Sequence, residues 1–226
     1  MDSRLFRTAF RDTIPVMTGY LFLGFGFGIL AQQNGLSLWW ALAMSVFIYA
    51  GSMQFVAVTM LSGGANIFAA ALTTLAVNAR HLFYGISMID RYKDTGKKKP
   101  YLIFALSDET YSLVSQKEPG QDGGKYYLYV SALDQFYWCL GTLLGAAAGQ
   151  LLPLNYEGID FVLTALFVTI SVEQWLSTKN HLPACIGLVC SIACRFVFGS
   201  SAFLIPSMGL IALLLLLTGE KEAKHE

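Results

Sequence analysis

Seven ionisable side chains lie inside apolar stretches of this sequence. An ionised side chain in hydrocarbon costs from about 2.5 kcal/mol to well over 10 kcal/mol, so each one must pair, lose its charge or face water. Because four carboxylates accompany two guanidiniums, at least one carboxylate is free to take up and release a proton. The bases are Arg80, His81 and Arg195, and the acids are Asp108, Glu109, Asp134 and Glu173.

Arg80 lies in the sequence NARHLFYG at 78–85 and suits two roles. Its planar guanidinium can bind a substrate carboxylate through two parallel hydrogen bonds, or it can be locked in a structural ion pair. The nearest acids inside an apolar stretch are Asp108 and Glu109, which are about 100° apart on a helix and cannot both face one arginine. We therefore expect one of them to pair with Arg80 and the other to exchange a proton. The same two roles are open to Arg195.

Neutral polar side chains and one further acid accompany these charges. His81 suits either a proton relay or an ordinary hydrogen bond. The amides of Gln54, Asn78 and Gln174 can either contact a substrate or bond to a neighbouring helix. Glu173 can pair with an arginine or serve in proton coupling. The sequence does not separate these two readings.

An enzyme is disfavoured by what the motifs lack. Ser52 and His81 are not accompanied by the glycine turn or the oxyanion-hole motif of a serine hydrolase. The sequence contains no metal-binding spacing and no glycine-rich phosphate loop, and its four cysteines lie in apolar runs without a CxxC pair. We expect no catalytic residues, no metal and no cofactor.

The elements that must position these residues are membrane helices. The chain of 226 residues is 55% hydrophobic and 13% charged, with a mean hydropathy of +0.53, whereas soluble domains contain about 25% charged residues. Fifteen basic and fifteen acidic residues cancel, which leaves no basic face for nucleic acid. A helix needs about 20 residues to span a lipid bilayer. Apolar runs of similar length occur at 14–32, 38–61, 66–89, 126–152, 159–176, 182–199 and 201–217.

These runs predict an all-α fold, a polytopic membrane helical bundle of seven or eight segments. The eighth candidate, at 101–116, is short and has the length of a half-helix. Basic residues cluster before residue 12 and at 90–100, and both clusters belong on the cytoplasmic side. Three full crossings between the clusters would place them on opposite sides, so one of the first three segments is re-entrant or broken.

The segment at 38–61 is the strongest candidate for a break. Gly51, Ser52 and Gln54 interrupt it in the sequence YAGSMQF at 49–55. Non-helical backbone at membrane depth is tolerated where it is buried in protein or lines a cavity. The alternative is a continuous tilted helix with Gly51 as a packing residue.

The chain also shows a weak internal repeat, as transporters commonly do. Gly24 and Gly28 in the first segment correspond to Gly145 and Gly149 in 126–152, and their small-xxx-small spacing indicates close helix packing. Further along, Gln54 corresponds to Gln174 and Arg80 to Arg195. We predict two three-helix repeats, at 14–89 and 126–199.

The predicted domain organisation places both repeats in a transmembrane domain at 14–218. Residues 1–13 have arginines on one face and phenylalanines on another, which is typical of an amphipathic helix on the membrane surface. Residues 219–226 form a polar tail of mixed charge.

Three motifs together resemble the AzlC family of bacterial branched-chain amino-acid exporters: FIYAGSMQF at 47–55, VNARHLFYGISM at 77–88 and LSDETY at 106–111. The sequence LFVTISVEQW at 166–175 is also similar. The resemblance implies a secondary transporter of the cytoplasmic membrane that exports leucine, isoleucine and valine, with methionine as a further candidate, driven by the proton motive force. It also implies a small AzlD-type membrane subunit as partner.

The role of the chain and the position of a partner both stay open at this point. A channel-like or scaffolding membrane subunit without its own substrate site fits the same composition. A partner would dock on the glycine-rich face of 126–152 or along 182–217, because membrane helices associate through closely packed small residues.

Overall fold

The computed structural model describes residues 3–116, 123–151 and 180–203, together with individual positions between 161 and 176 and between 206 and 215. Its regular elements in these parts of the chain are all helical. They are α1 Ser3–Asp12, α2 Ile14–Gln33, α3 Leu38–Phe47, α4 Gly51–Ser62, α5 Ile67–Asn78, α6 Arg80–Ser87, a short 3-10 helix Gly96–Lys98, α7 Lys99–Phe104, α8 Asp108–Ser115, α9 Gly123–Leu151 and α10 Leu182–Ala202.

The chain divides into two compact units, Met1–Leu166 and Phe167–Glu226. The first unit contains α1 to α9, and α2 and α9 pack together along much of their length at its centre. The second unit contains α10. The candidate site lies in the first unit.

Glycines allow α2 and α9 to approach each other closely. A Cβ added at Gly28 would collide with the backbone of Thr142 and Ala146, and one added at Gly145 would collide with the carbonyl of Phe25. A Cβ added at Gly24 would lie 2.8 Å from the carbonyl oxygen of Trp138. The glycine face of α9 is filled by α2 and is therefore not available to a partner subunit. The docking of a partner elsewhere on 126–152 or along 182–217 stays a prediction.

The segment predicted at 38–61 is broken, which decides between the two alternatives left open by the sequence. Helix α3 begins after Ser37, whose side chain accepts a hydrogen bond from the Trp40 amide, and ends at Phe47. Tyr49 has a positive φ of 45°, a conformation that a bulky residue rarely adopts. The helix resumes at Gly51.

The short segment predicted at 101–116 is broken as well. Helix α7 begins with Pro100 in its first turn and ends at Phe104. Ser107 then starts α8 by accepting a hydrogen bond from the Thr110 amide at 3.1 Å, the usual role of a serine at this position. Two of the interruptions in the described part of the chain thus lie at 48–50 and at 105–107.

Two of the described helices are long and apolar enough to cross a membrane, namely α2 and the part of α10 at Leu182–Gly199. Helices α3 and α4 are apolar but shorter, and the run predicted at 66–89 forms α5 and α6. The number of seven or eight segments and the two repeats stay predictions.

Helix α10 covers the run predicted at 182–199 and ends at Ala202, just inside the run predicted at 201–217. Gly199 interrupts its helical geometry with φ 76° and ψ 175°, in the region of backbone conformation that is open mainly to glycine. The chain thus changes direction near the predicted boundary. The polar tail at 219–226 lies outside the described residues.

Candidate functional site

The site is built around an ion pair between Arg80 and Asp108, the first residues of α6 and α8. Nη2 of Arg80 lies 2.8 Å from Oδ2 of Asp108, and each side chain retains 27% of its exposure. Nη2 also lies 3.5 Å from Oγ of Ser52 in α4. The carboxylate at the start of α8 is favoured by the positive end of the helix dipole.

The ion pair leaves one donor and one acceptor unused. Nε of Arg80 and Oδ1 of Asp108 are both buried and have no hydrogen-bond partner. Buried polar atoms in native proteins are nearly always paired, so unpaired ones need an explanation. A ligand that carries both an anionic and a cationic group would satisfy the two atoms together.

Glu109 follows Asp108 in the chain but has a different environment. The hydroxyl of Tyr20, in α2, lies 2.6 Å from Oε2 of Glu109 and 2.7 Å from Oγ of Ser107. The rotation of about 100° per residue on a helix turns the two carboxylates apart, as the sequence indicated. Asp108 therefore pairs with Arg80, and Glu109 bonds to a neutral hydroxyl.

Asp134 is the acid that sequence reasoning counted but did not place in the site. Its side chain, in α9, is completely buried. Oδ2 accepts a hydrogen bond of 2.7 Å from the Thr110 hydroxyl, whereas Oδ1 has no partner. The signal that could have identified it is simple, because Asp134 is the sole acid in the sequence of α9.

Gln54 lies in a separate polar cluster between α3, α4 and α9. Its Oε1 accepts a hydrogen bond from Nε1 of Trp138 at 3.0 Å, and its Nε2 donates to Oγ of Ser45 at 3.1 Å. Ser45 is in turn bonded to Thr142 at 2.8 Å. Both ends of the Gln54 amide are thus occupied within the protein. The ring of Trp138 also packs against Gly51, 3.4 Å from the position that a Cβ would take there.

A cavity of about 280 Å³ adjoins both interruptions of the apolar segments. Ile48, Tyr49 and Ala50 line it from the first interruption, and Ile103, Phe104 and Leu106 line it from α7 and the second one. Irregular backbone at membrane depth is expected where it borders a cavity. The walls are mostly apolar, with polar atoms contributed at a few positions.

Asn78 and His81 are among those polar positions of the cavity wall. Nδ1 of His81 lies 3.3 Å from the carbonyl oxygen of Asn78, and the imidazole ring meets the Tyr84 ring edge to face at 5.7 Å. Arg80 lies between these two residues in the chain. The cavity lining therefore includes residues on both sides of Arg80 in the chain, whereas Arg80 and Asp108 are not among the lining residues.

The remaining residues predicted from the sequence are not part of the Arg80–Asp108 site in the described residues. Glu173 and Gln174 lie outside the described residues. Arg195 belongs to the second unit, where its side chain is exposed and its guanidinium carbon lies 5.9 Å from the centre of the Phe203 ring. Gly149 contacts Gln32, with 3.2 Å between the position of a Cβ on the glycine and Cβ of Gln32.

The arrangement combines an apolar cavity, a paired positive and negative charge with spare hydrogen-bonding atoms, and two further acids bonded to hydroxyls. Such a site can hold a small zwitterion with an apolar side chain. It can also hold protons, because Glu109 and Asp134 have no basic partner among the residues that the structure describes.

Comparison with known proteins identifies the family of this chain. The chain matches the family model "AzlC protein" over residues 15–152. It is 46% identical over 205 residues to "Branched-chain amino acid transport protein AzlC" of Bacillus subtilis, an alignment that covers 90% of this chain and 81% of that protein. No solved structure matches the chain.

More distant relatives bear membrane names. An "Uncharacterized membrane protein" of Helicobacter pylori is 39% identical over 216 residues, or 95% of each chain. "Inner membrane protein YgaZ" of Escherichia coli is 29% identical over 213 residues, or 90% of this chain and 84% of that protein. The match of the family model and the identity to the Bacillus protein together show that this chain is a membrane protein of the AzlC family.

Proposed function

We propose that this chain is the large subunit of a secondary transporter that exports branched-chain amino acids across the bacterial cytoplasmic membrane. The observation that carries the proposal is the Arg80–Asp108 pair with its unused donor and unused acceptor, together with an apolar cavity lined by Asn78 and His81, which lie on either side of Arg80 in the chain. The name of the relative in Bacillus subtilis, 46% identical, supports the substrate class. Leucine, isoleucine and valine are the substrates, and methionine is a further candidate.

A branched-chain amino acid matches the chemistry of the site. Its carboxylate accepts from Nε of Arg80, and its ammonium group donates to Oδ1 of Asp108, so both orphaned atoms gain partners. Its aliphatic side chain enters the apolar cavity, whose volume of about 280 Å³ is close to the lower end of the roughly 300–1,000 Å³ typical of small-molecule sites. Asn78 and His81 then border the bound molecule.

Substrate binding and protonation are linked in this proposal. The substrate carboxylate and Asp108 share the guanidinium of Arg80, because both are anions that suit the same planar donor. Protonation of a neighbouring acid changes the balance between the two partners of Arg80 and so couples release to the proton motive force. Glu109 is the neighbouring acid best placed for this role.

The small AzlD-type subunit is proposed from the family resemblance. Because the glycine face of α9 is filled by α2, we place the partner on α10, the other stretch that the sequence indicated. There Leu188, Val189, Ile192, Phe196 and Val197 are exposed. We propose that the subunit packs along this helix within a multi-pass assembly.

Reconstitution tests the proposal. Leucine efflux is measured from proteoliposomes that contain this chain with the small subunit, with this chain alone, and with neither. We expect saturable efflux that an imposed proton gradient accelerates and that requires both subunits. Leucine binding by neither subunit would favour the scaffolding alternative, and full-rate transport by this chain alone would remove the need for the partner.

A further inference from the structure

A continuous series of hydrogen bonds connects Glu109 and Asp134, which have no basic partner among the described residues. Glu109 is 2.6 Å from the hydroxyl of Tyr20, and that hydroxyl is 2.7 Å from Oγ of Ser107. Oγ of Ser107 is 3.0 Å from Oγ1 of Thr110, which is 2.7 Å from Oδ2 of Asp134. Three hydroxyl groups thus link two carboxyl groups contributed by different helices.

Each link of this chain can both receive and give a proton. A hydroxyl group has one donor and two acceptor positions, so it can accept a proton on one side while it releases its own on the other. Tyr20 lies within hydrogen-bonding distance of Glu109 and Ser107 at once. The Thr110 amide also donates to Oγ of Ser107 at 3.1 Å, which fixes the orientation of the central hydroxyl.

The two acids at the ends of this hydrogen-bonded series differ in their exposure to solvent. Glu109 is only partly buried, whereas Asp134 is completely buried. A buried carboxylate without a cation is costly, so the neutral acid is favoured at Asp134. Its free Oδ1 reinforces this, because an ionised group there would receive a single hydrogen bond.

Among the described residues, the titratable groups that interact electrostatically with Asp134 supply no compensating charge. They are Glu109 from α8, Tyr49 from the first interruption, Tyr101 from α7, and Tyr126 and Tyr137 from α9 itself. None of these side chains is a base. A proton is the counter-charge that the surroundings leave to Asp134.

We propose that Asp134 is an internal proton-binding site that is loaded from Glu109 through the hydroxyls of Tyr20, Ser107 and Thr110. In one transfer, Glu109 gives its proton to the Tyr20 oxygen, and each hydroxyl passes its own proton to the next oxygen. The last proton arrives on Oδ2 of Asp134. Glu109 ends as a carboxylate and Asp134 as a carboxylic acid, every hydroxyl is restored, and no other reactant takes part.

The connection of this relay to export rests on the proposed function. The relay would store the coupling proton away from the Arg80–Asp108 pair, so that substrate and proton occupy different groups. The hydroxyls of the relay pass the proton and do not contact the substrate. They belong to Tyr20, Ser107 and Thr110.

Infrared spectroscopy of the purified chain in lipid tests the relay without any transport measurement. The carbonyl stretch of a protonated carboxylic acid is assigned to Asp134 by its loss in Asp134→Asn. After transfer to D2O, the time course of its isotope shift reports how fast that proton exchanges. We expect Tyr20→Phe and Thr110→Val to slow the exchange roughly 100-fold, in the range of 10²–10⁴ that positioned proton carriers contribute.

Matched variants control for general disturbance. Thr110→Ser keeps the hydroxyl and is expected to exchange at the rate of the original chain. Thr13→Val removes another buried hydroxyl, which is bonded at 3.2 Å to Tyr137 and lies outside the relay, and is expected to leave the rate unchanged. The proposal is overturned if no carboxylic acid band depends on Asp134, or if its exchange is equally fast in Tyr20→Phe and Thr110→Val.

The second arm of the experiment separates the relay from the substrate. Leucine is added to the same samples, and the band of Asp134 is recorded again. A leucine-dependent shift of the band connects the relay to export. A working relay in a protein that neither binds nor moves leucine would overturn the proposed function and leave the relay standing.

Discussion

Two regions of the first unit handle buried charge in opposite ways. Around Arg80 and Asp108, two charges neutralise each other and keep 27% of their exposure. Around Asp134 the acid is completely enclosed, and hydroxyl groups take the place of a cation. Adjacent residues at the start of one helix, Asp108 and Glu109, belong to the two different regions, so the first turn of α8 connects a site suited to a zwitterion with a site suited to a proton.

The largest expected effect comes from a change that disturbs both regions at once. Tyr20 lies in α2 and Asp134 in α9, so the close contact of these helices aligns the relay. Gly28→Ala would drive a methyl group into the backbone of α9, and overpacking costs about 1–3 kcal/mol. We expect the loss of unfolding free energy at the upper end of that range, measured by thermal unfolding in detergent.

Gly19→Ala provides the matched control for this substitution. Gly19 lies in the same helix, with no atom within 4 Å of the position of its Cβ. We expect it to unfold like the original chain. Equal stability of the two variants would mean that the α2–α9 contact is looser than described here.

Arg80→Ala is expected to disturb the ion-paired region alone. Removal of one partner from a buried ion pair costs about 3–5 kcal/mol, and the partial exposure of this pair reduces the expected loss to about 2 kcal/mol. Leucine binding, measured by calorimetry, should be abolished, while the isotope exchange at Asp134 should persist.

The double variant with Asp108→Ala distinguishes a binding role from a structural one. Removal of both charges should restore most of the unfolding free energy, because no uncompensated charge stays behind. Leucine binding should still be absent. Recovery of both stability and transport in the double variant would show that Arg80 is only a structural ion-pair partner.

Ser107→Ala sharpens the comparison from the hydroxyl-linked side. Loss of a serine at the start of a helix costs about 0.5–2 kcal/mol, and Ser37→Ala at the start of α3 removes a similar contact. We expect comparable losses of stability in the two variants. Slow isotope exchange at Asp134 should appear in Ser107→Ala only, and its appearance in both would remove the special role of Ser107.

Glu109→Gln is expected to have the smallest effect on stability, because the amide can still bond to Tyr20. It removes the outer proton acceptor of the relay. We expect leucine binding to persist and the pH dependence of leucine efflux to change, measured as initial rates across a series of external pH values. An unchanged pH profile would place the coupling group elsewhere.

Much of the architecture could be predicted from local patterns. Gly51 and Ser52 indicated the interruption near residue 50. The cost of a charge inside an apolar stretch indicated that Arg80 pairs with an acid such as Asp108. These inferences use short stretches of sequence and general costs of buried charge, which do not depend on the details of packing.

The rest depends on contacts between distant parts of the chain. Tyr20 and Thr110 are ordinary residues until α2 and α8 bring them to the two carboxyl groups. Gln54 appeared suited to substrate, yet its amide is satisfied by Trp138, 84 residues away. The glycine face of α9 appeared suited to a partner subunit, and the pattern alone could not show that another helix of the same chain fills it.

The most direct test of the central proposal, that Arg80 binds the substrate carboxylate in a proton-coupled exporter, is leucine efflux from proteoliposomes containing Arg80→Lys and the small subunit. Lysine keeps the charge but loses the planar, two-pronged geometry. We predict an intact fold by thermal unfolding, with saturable, gradient-dependent efflux in the original chain and efflux reduced at least roughly 10-fold in the variant, about 1.4 kcal/mol of lost interaction. Normal, gradient-dependent leucine efflux by Arg80→Lys would contradict the proposal.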